Sequence, residues 1–179
     1  QFRDQYLSKV TKLSNGKALI TDKMPQNFCY IPLICAAFSD AKIIHVKRDA
    51  RATCWSIFKQ YFISKGLGYS YDLKDIVSYY KLYEGLMECW QSAYSHRIYN
   101  LSYEQLTMSQ ESESRKLIKA LGIMWDDACL YPHKSKRSVK TASQQQVRNI
   151  FLKREKTFTS KWESIPIPIS HMENSLNVM

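Results

Sequence analysis

The sequence predicts an α/β fold in which a parallel sheet is flanked by helices. Short apolar runs alternate with longer helical patterns along the chain, in the order strand, helix, strand, helix. Because the connections are short, this alternation favours parallel strands joined by right-handed crossovers. The chain has 179 residues, of which 45% are hydrophobic, and this suits one globular domain with its own core.

The first strand is predicted over residues 17–21, after a turn-forming Asn-Gly pair. Pro25 then suits the first turn of a helix, because its missing N–H has no partner there in any case. The apolar residues of 27–38 continue that helix, and a Ser-Asp pair ends it.

The second strand is predicted over residues 42–46, and Asp49 is placed to cap a helix that ends near Phe62. A loop rich in glycine and tyrosine follows. A long amphipathic helix then begins at Asp72 or Asp75. Its regularly spaced apolar side chains are Tyr79, Tyr83, Met87 and Trp90.

The third strand is predicted over residues 97–102, and a further helix covers 112–121 and closes at Gly122, a natural C-cap. The sequence then becomes basic and polar. We predict one domain over residues 1–165 and a loosely attached tail over 166–179.

The charge of the chain favours an anionic partner. Its 26 Lys and Arg outnumber 16 Asp and Glu, which gives a formal net charge of +10. A nucleotide, a nucleic acid, a membrane surface and a sulfated or phosphorylated ligand all fit that surplus. The five cysteines include no CxxC pair and the histidines show no ligand spacing, so we expect neither a disulfide framework nor a metal site. No stretch approaches the roughly 20 apolar residues of a membrane span.

Three predicted strands deliver polar residues to one edge of the sheet. Lys23 follows the first strand, Arg48 the second and Tyr103 the third, and ligands of open parallel sheets bind beyond the carboxyl ends of the strands. The planar donors of Arg48 suit two phosphate oxygens, and the following helix N-terminus adds positive charge. Ser56 lies about two turns into that helix. The alternative is that Arg48 is solvated and that Ser56 bonds to its own turn.

Seven blocks of sequence, in this order, resemble the PAPS-dependent sulfotransferases. They are "ITDKMPQNF", "AKIIHVKRDARATCWSIF", "YSYD", "YYKLYEGLMECW", "SYEQL", "GIMWDDACL" and "KTASQQQVRN". The resemblance covers roughly residues 5–165 and is strongest to the bacterial branch that is often fused to tetratricopeptide repeats. Tyrosylprotein sulfotransferase is a more distant relative.

The resemblance implies a P-loop-NTPase-like, three-layer fold and an enzyme that transfers a sulfuryl group. The donor is 3'-phosphoadenosine 5'-phosphosulfate (PAPS), which leaves as 3'-phosphoadenosine 5'-phosphate (PAP). The acceptor is a hydroxyl or an amine, and no metal is needed. By this resemblance Arg48 and Ser56 bind the 3'-phosphate, and Tyr103 lies by the base.

The resemblance also implies two residues near the reacting group. Lys23 matches a lysine beside the oxygen that bridges phosphate and sulfate, and Ser143 matches a serine that contacts the phosphosulfate. Charge builds on that bridging oxygen during an in-line displacement, and nearby donors stabilise the transition state more than the ground state. Lys161 matches a basic residue on the donor.

The sequence departs from the family at the 5'-phosphosulfate loop. Members carry a glycine-rich loop and, shortly after it, a catalytic base, and neither has a counterpart here. The five glycines are Gly16, Gly66, Gly68, Gly85 and Gly122. We therefore expect a C-terminal portion of a sulfotransferase, incomplete at its N-terminus and inactive as it stands, with tetratricopeptide repeats upstream in the whole protein.

Two alternatives to an enzyme stay open from the sequence. One is a non-catalytic module of the same fold that binds a 3'-phosphonucleotide. The other is a basic nucleic-acid-binding protein, which the absence of zinc-finger, RNP and basic-zipper patterns disfavours. The bacterial resemblance and free cysteines favour a cytoplasmic location, whereas a closer relation to the tyrosylprotein branch favours the Golgi lumen.

Overall fold

The structure, a computed structural model, describes residues 1–62 and 66–134 and mixes helices with a small sheet. The helices are α1 (Phe2–Ser14), α2 (Ile31–Ala37), α3 (Ala50–Phe58), α4 (Leu73–Tyr94), α5 (Tyr103–Met108) and α6 (Gln110–Leu121), and the strands are β1 (Ile43–Lys47) and β2 (Ile98–Ser102). Two compact units are present. One comprises Gln1–Ile43 with Tyr83–Ile98, and the other comprises Ile44–Leu82 with the described residues from Tyr99 onward.

The two strands form a parallel pair. A ring nitrogen of His45 lies 2.8 Å from the amide oxygen of Asn100, and the backbone N–H of Asp49 donates to the carboxylate of Glu104 at 2.9 Å. Both contacts join residues 55 positions apart. Because this offset stays constant as the chain advances, the two segments run in the same direction. The predicted parallel arrangement is confirmed for these two strands, which form a two-stranded sheet.

The predicted first strand, residues 17–21, is wrong. The N–H of Lys17 donates to the carbonyl of Ser14 at 3.0 Å, which closes a turn at the end of α1. The next residues form no strand among the residues that the structure describes, and Leu19 and Ile20 are 68% and 49% exposed. An apolar run becomes a strand only when a neighbour accepts its backbone hydrogen bonds.

The predicted helix over 27–38 is divided in two. A 3₁₀ helix covers Pro25–Tyr30 and α2 follows at once. The break lies at Pro32, which has no N–H to donate and whose ring crowds the carbonyl four residues earlier, so it is tolerated only in a first helical turn.

The helix capped by Asp49 is present but ends at Phe58, earlier than the predicted Phe62. The N–H of Gln60 turns back to the carbonyl of Ile57 at 3.0 Å. The carbonyl of Phe62 accepts instead from the hydroxyl of Tyr71. A tertiary hydrogen bond that the local sequence does not encode thus holds Phe62, in the segment after the helix.

Helix α4 begins and helix α6 ends at the predicted signals. The Asp72 carboxylate accepts from the N–H groups of Lys74 and Asp75 at 2.7 and 3.2 Å, so Asp72 is the cap of α4. Gly122 closes α6 with φ of 71°. Both ends are decided by local chemistry, which explains why the pattern predicts them.

Each unit has its own buried residues. In the first, Ile31, Met87 and Ile98 form the core, and the indole of Trp90 donates to the carbonyl of Phe28 at 2.9 Å. In the second, the buried side chains are Ala52, Cys54, Ser70, Ile76, Val77, Tyr80 and Leu101.

Candidate functional site

The structure brings Arg48 and Tyr103 together at adjacent ends of the two strands. Arg48 directly follows β1, and Tyr103 directly follows β2. Because the strands are parallel and in register, these ends lie side by side. The guanidinium of Arg48 lies over the ring of Tyr103, with its central carbon 5.3 Å from the ring centroid, within the range of a cation–π contact.

The segment that carries Arg48 is strongly basic. Four basic residues and one acidic residue lie between positions 47 and 59. The basic ones are Lys47, Arg48, Arg51 and Lys59. The acidic one, Asp49, accepts from the N–H of Ala52 at 2.8 Å. The helix N-terminus that we expected to add positive charge is thus already capped by a carboxylate. The binding of an anionic ligand at this place would therefore depend mainly on the basic side chains.

Ser56 lies on α3 and is exposed. It follows Asp49 by seven residues, which is about two helical turns and roughly 10 Å along the axis. The hydroxyl therefore lies on the same helical face as the cap but well beyond it. One phosphate group can contact both residues only if the long side chain of Arg48 extends along α3 toward Ser56.

Lys23 belongs to the first unit and is exposed. The neighbouring Asp22 accepts from the hydroxyl of Tyr6 at 2.7 Å, and this hydrogen bond raises the pKa of Tyr6 to about 12. The ring of Tyr6 also packs on Phe38, with 5.0 Å between ring centroids. Helix α1, which we did not predict, thereby anchors the segment that carries Lys23. Its signal is the spacing of Phe2, Tyr6, Val10 and Leu13.

Ser143 and Lys161 lie outside the described residues, as does the predicted boundary between domain and tail.

One residue that the sequence reasoning gave no role joins the two strand ends. Glu104 accepts from the N–H of Asp49 through one carboxylate oxygen at 2.9 Å and from the hydroxyl of Ser102 through the other at 3.2 Å. A signal was present, because a helix capped by Asp49 has Ala52 where a capping box carries Glu or Gln, and this leaves the cap's N–H without a local acceptor.

The residues of the "YSYD" block make structural hydrogen bonds in the second unit. Ser70 is buried and donates to the carbonyl of Leu67 at 2.7 Å, while Tyr71 donates to the carbonyl of Phe62. The last residue of the block caps α4. These contacts hold residues 66–72 to Phe62 and to the start of α4.

Within 1–62 and 66–134 no group of three or more His, Cys, Asp or Glu is arranged to hold a metal ion. In the same ranges no helix is both long enough and apolar enough to cross a membrane.

A comparison with protein families decides the relationship of the chain. A family model described as "Sulfotransferase family" matches residues 1–127, a range that contains both strands, Lys23, Arg48, Ser56 and Tyr103. The chain belongs to the sulfotransferase family.

A curated relative of this chain is an uncharacterized protein from Aquifex aeolicus (strain VF5). The two are 38% identical over 145 residues, which cover 80% of this chain and 19% of the relative. The chain thus spans about a fifth of the length of the relative that it matches.

Proposed function

We propose that this chain contributes the nucleotide-binding part of a sulfotransferase that moves a sulfuryl group from PAPS to a hydroxyl or amine acceptor. The observation that carries the proposal is the guanidinium of Arg48 over the ring of Tyr103, at adjacent strand ends within the segment that matches the family. A P-loop-NTPase-like arrangement of the complete fold is part of the same proposal.

The chemistry of these side chains fits a 3'-phosphorylated adenine nucleotide. A guanidinium supplies paired donors for phosphate oxygens, and an aromatic ring supplies a flat apolar surface beside a base. In the proposed arrangement Arg48 binds the 3'-phosphate, Ser56 donates to the same group from α3, and Tyr103 lies by the adenine.

The donor supplies an activated sulfuryl group, and the chain supplies cations and hydrogen-bond donors around the leaving oxygen. We assign this role to the ammonium group of Lys23, because charge develops on the bridging oxygen as the bond to sulfur lengthens. The Tyr6–Asp22 hydrogen bond fixes the residue that precedes Lys23. Ser143 is assigned to the phosphosulfate and Lys161 to the donor's charge by the family resemblance.

The rest of the protein's biology stays a prediction. Tetratricopeptide repeats as an upstream partner, and a cytoplasmic location, follow from the resemblance to the bacterial branch. The acceptor is proposed only as a class, a hydroxyl or an amine.

Calorimetric titration of this chain with PAP, run beside 5'-AMP, tests the proposal. The two ligands differ by the 3'-phosphate, so a preference for PAP reports a pocket for that group. We expect the preference to disappear in Arg48→Ala and to persist in Arg3→Ala, which removes an exposed arginine of α1 and changes the net charge equally. Equal binding of both nucleotides by a cooperatively folded chain would refute the nucleotide assignment.

A further inference from the structure

The cap of α3 is completed by a residue from another element. In a capping box the side chain of the N-cap residue accepts from the third helical N–H, and the third side chain returns to the N–H of the cap. Here Asp49 accepts from the N–H of Ala52 at 2.8 Å, but Ala52 has no acceptor to return. The carboxylate of Glu104 takes that place, at 2.9 Å from the backbone nitrogen of Asp49.

The same carboxylate is held at the end of β2. Its second oxygen accepts from the hydroxyl of Ser102 at 3.2 Å, and Ser102 is itself the N-cap of α5, accepting from the N–H of Gln105 at 3.2 Å. Glu104 therefore links the caps of α3 and α5, and with them the carboxyl ends of the two strands.

The two residues of the candidate site are the immediate chain neighbours of this link. Arg48 precedes Asp49, and Tyr103 lies between Ser102 and Glu104. When the N–H of Asp49 is fixed, the backbone of Arg48 is fixed one residue away. The position of the guanidinium over the ring then follows from the spacing of the two strand ends.

The charge of Glu104 needs an explanation. A carboxylate close to an arginine that binds phosphate repels the ligand and weakens its binding. Both oxygens of Glu104 accept hydrogen bonds, so its negative charge is directed toward the two caps. A role in holding the strand ends accounts for an acidic residue at this position.

We propose that Glu104 is a positioning residue, which completes the cap of α3 from the end of β2 and thereby holds Arg48 over Tyr103, where it meets the 3'-phosphate of the nucleotide. This inference rests on the proposed function for its ligand. The link itself is a property of the free chain.

The test compares Glu104→Ala, Glu104→Gln and Glu104→Asp in the full 179-residue chain, with Glu88→Ala on the exposed face of α4 as a control of equal charge change. Glutamine has the length of glutamate and keeps an acceptor for the N–H of Asp49. Aspartate keeps the charge but is one methylene too short to span both partners. Thermal unfolding establishes that each variant is folded.

The first measurement is the affinity for PAP. We expect Glu104→Ala and Glu104→Asp to bind about tenfold more weakly or worse, the typical effect of losing a hydrogen bond to an ionised group. Glu104→Gln and Glu88→Ala stay near the unaltered chain. In an Arg48→Ala background, Glu104→Ala has no further effect, because the residue acts through Arg48.

Three results would overturn the inference. The first is a higher affinity of Glu104→Ala for PAP, which indicates simple repulsion. The second is an equal loss of affinity with and without Arg48, which indicates a direct or purely structural role. The third is a Glu104→Gln variant that binds PAP as weakly as Glu104→Ala.

A second measurement needs no nucleotide and separates this inference from the proposed function. The ring of Tyr103 shifts the NMR signals of the Arg48 side chain upfield, and we expect that shift in the unaltered chain and in Glu104→Gln but not in Glu104→Ala. If the shift changes this way while PAP shows no advantage over 5'-AMP, the proposed function fails and the positioning role stands. An unchanged shift in Glu104→Ala contradicts the positioning role whatever the nucleotide does.

Discussion

Arg97 donates to the carbonyl of Ala41 from both Nε and Nη2, at 3.1 and 2.8 Å. The same Nη2 also donates to the carbonyl of Phe38 at 2.6 Å. These carbonyls belong to the turn that leads into β1, and Arg97 directly precedes β2. One half-buried side chain thus ties the beginnings of both strands together, whereas Glu104 ties their ends.

We expect Arg97→Ala to destabilise the chain by about 1–3 kcal/mol, because it removes the guanidinium donors from two partly buried carbonyls. Of these two, the carbonyl of Phe38 keeps the N–H of Ala41 as a donor. Arg97→Lys should recover only part of this loss, since a single ammonium does not reproduce the planar set of donors. Urea denaturation measures both. Arg3→Ala is the matched control and should lie within about 0.5 kcal/mol of the unaltered chain. An Arg97→Ala chain as stable as that control would show that the three hydrogen bonds contribute nothing measurable.

The Tyr6–Asp22 pair predicts a loss of stability at high pH. The hydrogen bond to Asp22 raises the pKa of Tyr6 from 10.0 to about 12. Because the folded-state pKa lies above the unfolded value, the bond contributes fully below pH 10 and its contribution disappears as the pH rises toward 12. Tyr6→Phe should therefore lower the free energy of unfolding by about 1 kcal/mol or less at pH 8, and this difference should shrink above pH 10.

Urea denaturation between pH 8 and pH 11 checks that prediction, with Tyr61→Phe as the control because Tyr61 is 75% exposed. The control should differ from the unaltered chain by the same small amount at every pH. A Tyr6→Phe difference that grows with pH would mean that the hydroxyl is not bonded to an anion in solution.

The helix ends that a few neighbouring residues decide are predictable from the sequence. Asp49, Asp72 and Gly122 each begin or end a helix through hydrogen bonds or backbone conformation within a few residues. The helix 27–38 was correct in extent, but its division at Pro32 was overlooked even though proline chemistry is local as well.

Features that depend on a partner distant in sequence are not predictable from the local pattern. Residues 17–21 have the composition of a strand but no strand beside them in the described part of the chain. At the candidate site, the adjacency of Arg48 and Tyr103 followed from the predicted parallel strands. The contribution of Glu104 was missed, because its acceptor atoms serve a helix more than 50 residues earlier.

Two glycines of the chain should respond to alanine in opposite directions. An added methyl group meets no atom within 4 Å at either Gly85 or Gly122, so packing does not distinguish them. Gly122 ends α6 with φ of 71°, a conformation that costs an L-residue about 1–2 kcal/mol. Gly85 lies inside the helix α4, where alanine is favoured over glycine by about 0.5–1 kcal/mol. In thermal unfolding, the melting temperature of Gly122→Ala should be lower than that of the unaltered chain, and the melting temperature of Gly85→Ala should be higher. Shifts of the same sign would contradict the left-handed cap.

The ring of Tyr103 has two proposed roles: it contacts the base and it supports the guanidinium of Arg48. Measurements of nucleotide binding distinguish these roles. Tyr103→Phe keeps the ring and should bind PAP nearly as the unaltered chain does. Tyr103→Ala removes both the surface beside the base and the support beneath Arg48. If the ring serves only the base, the loss is equal for PAP and for 5'-AMP, and base–aromatic stacking sets it at about 1–3 kcal/mol. Because the guanidinium of Arg48 lies over this ring, we expect the loss for PAP to exceed that for 5'-AMP by about 0.5–1 kcal/mol, the size of an exposed cation–π contact. Calorimetric titration of the two variants with both nucleotides measures the difference, and equal losses would show that Tyr103 does not orient Arg48.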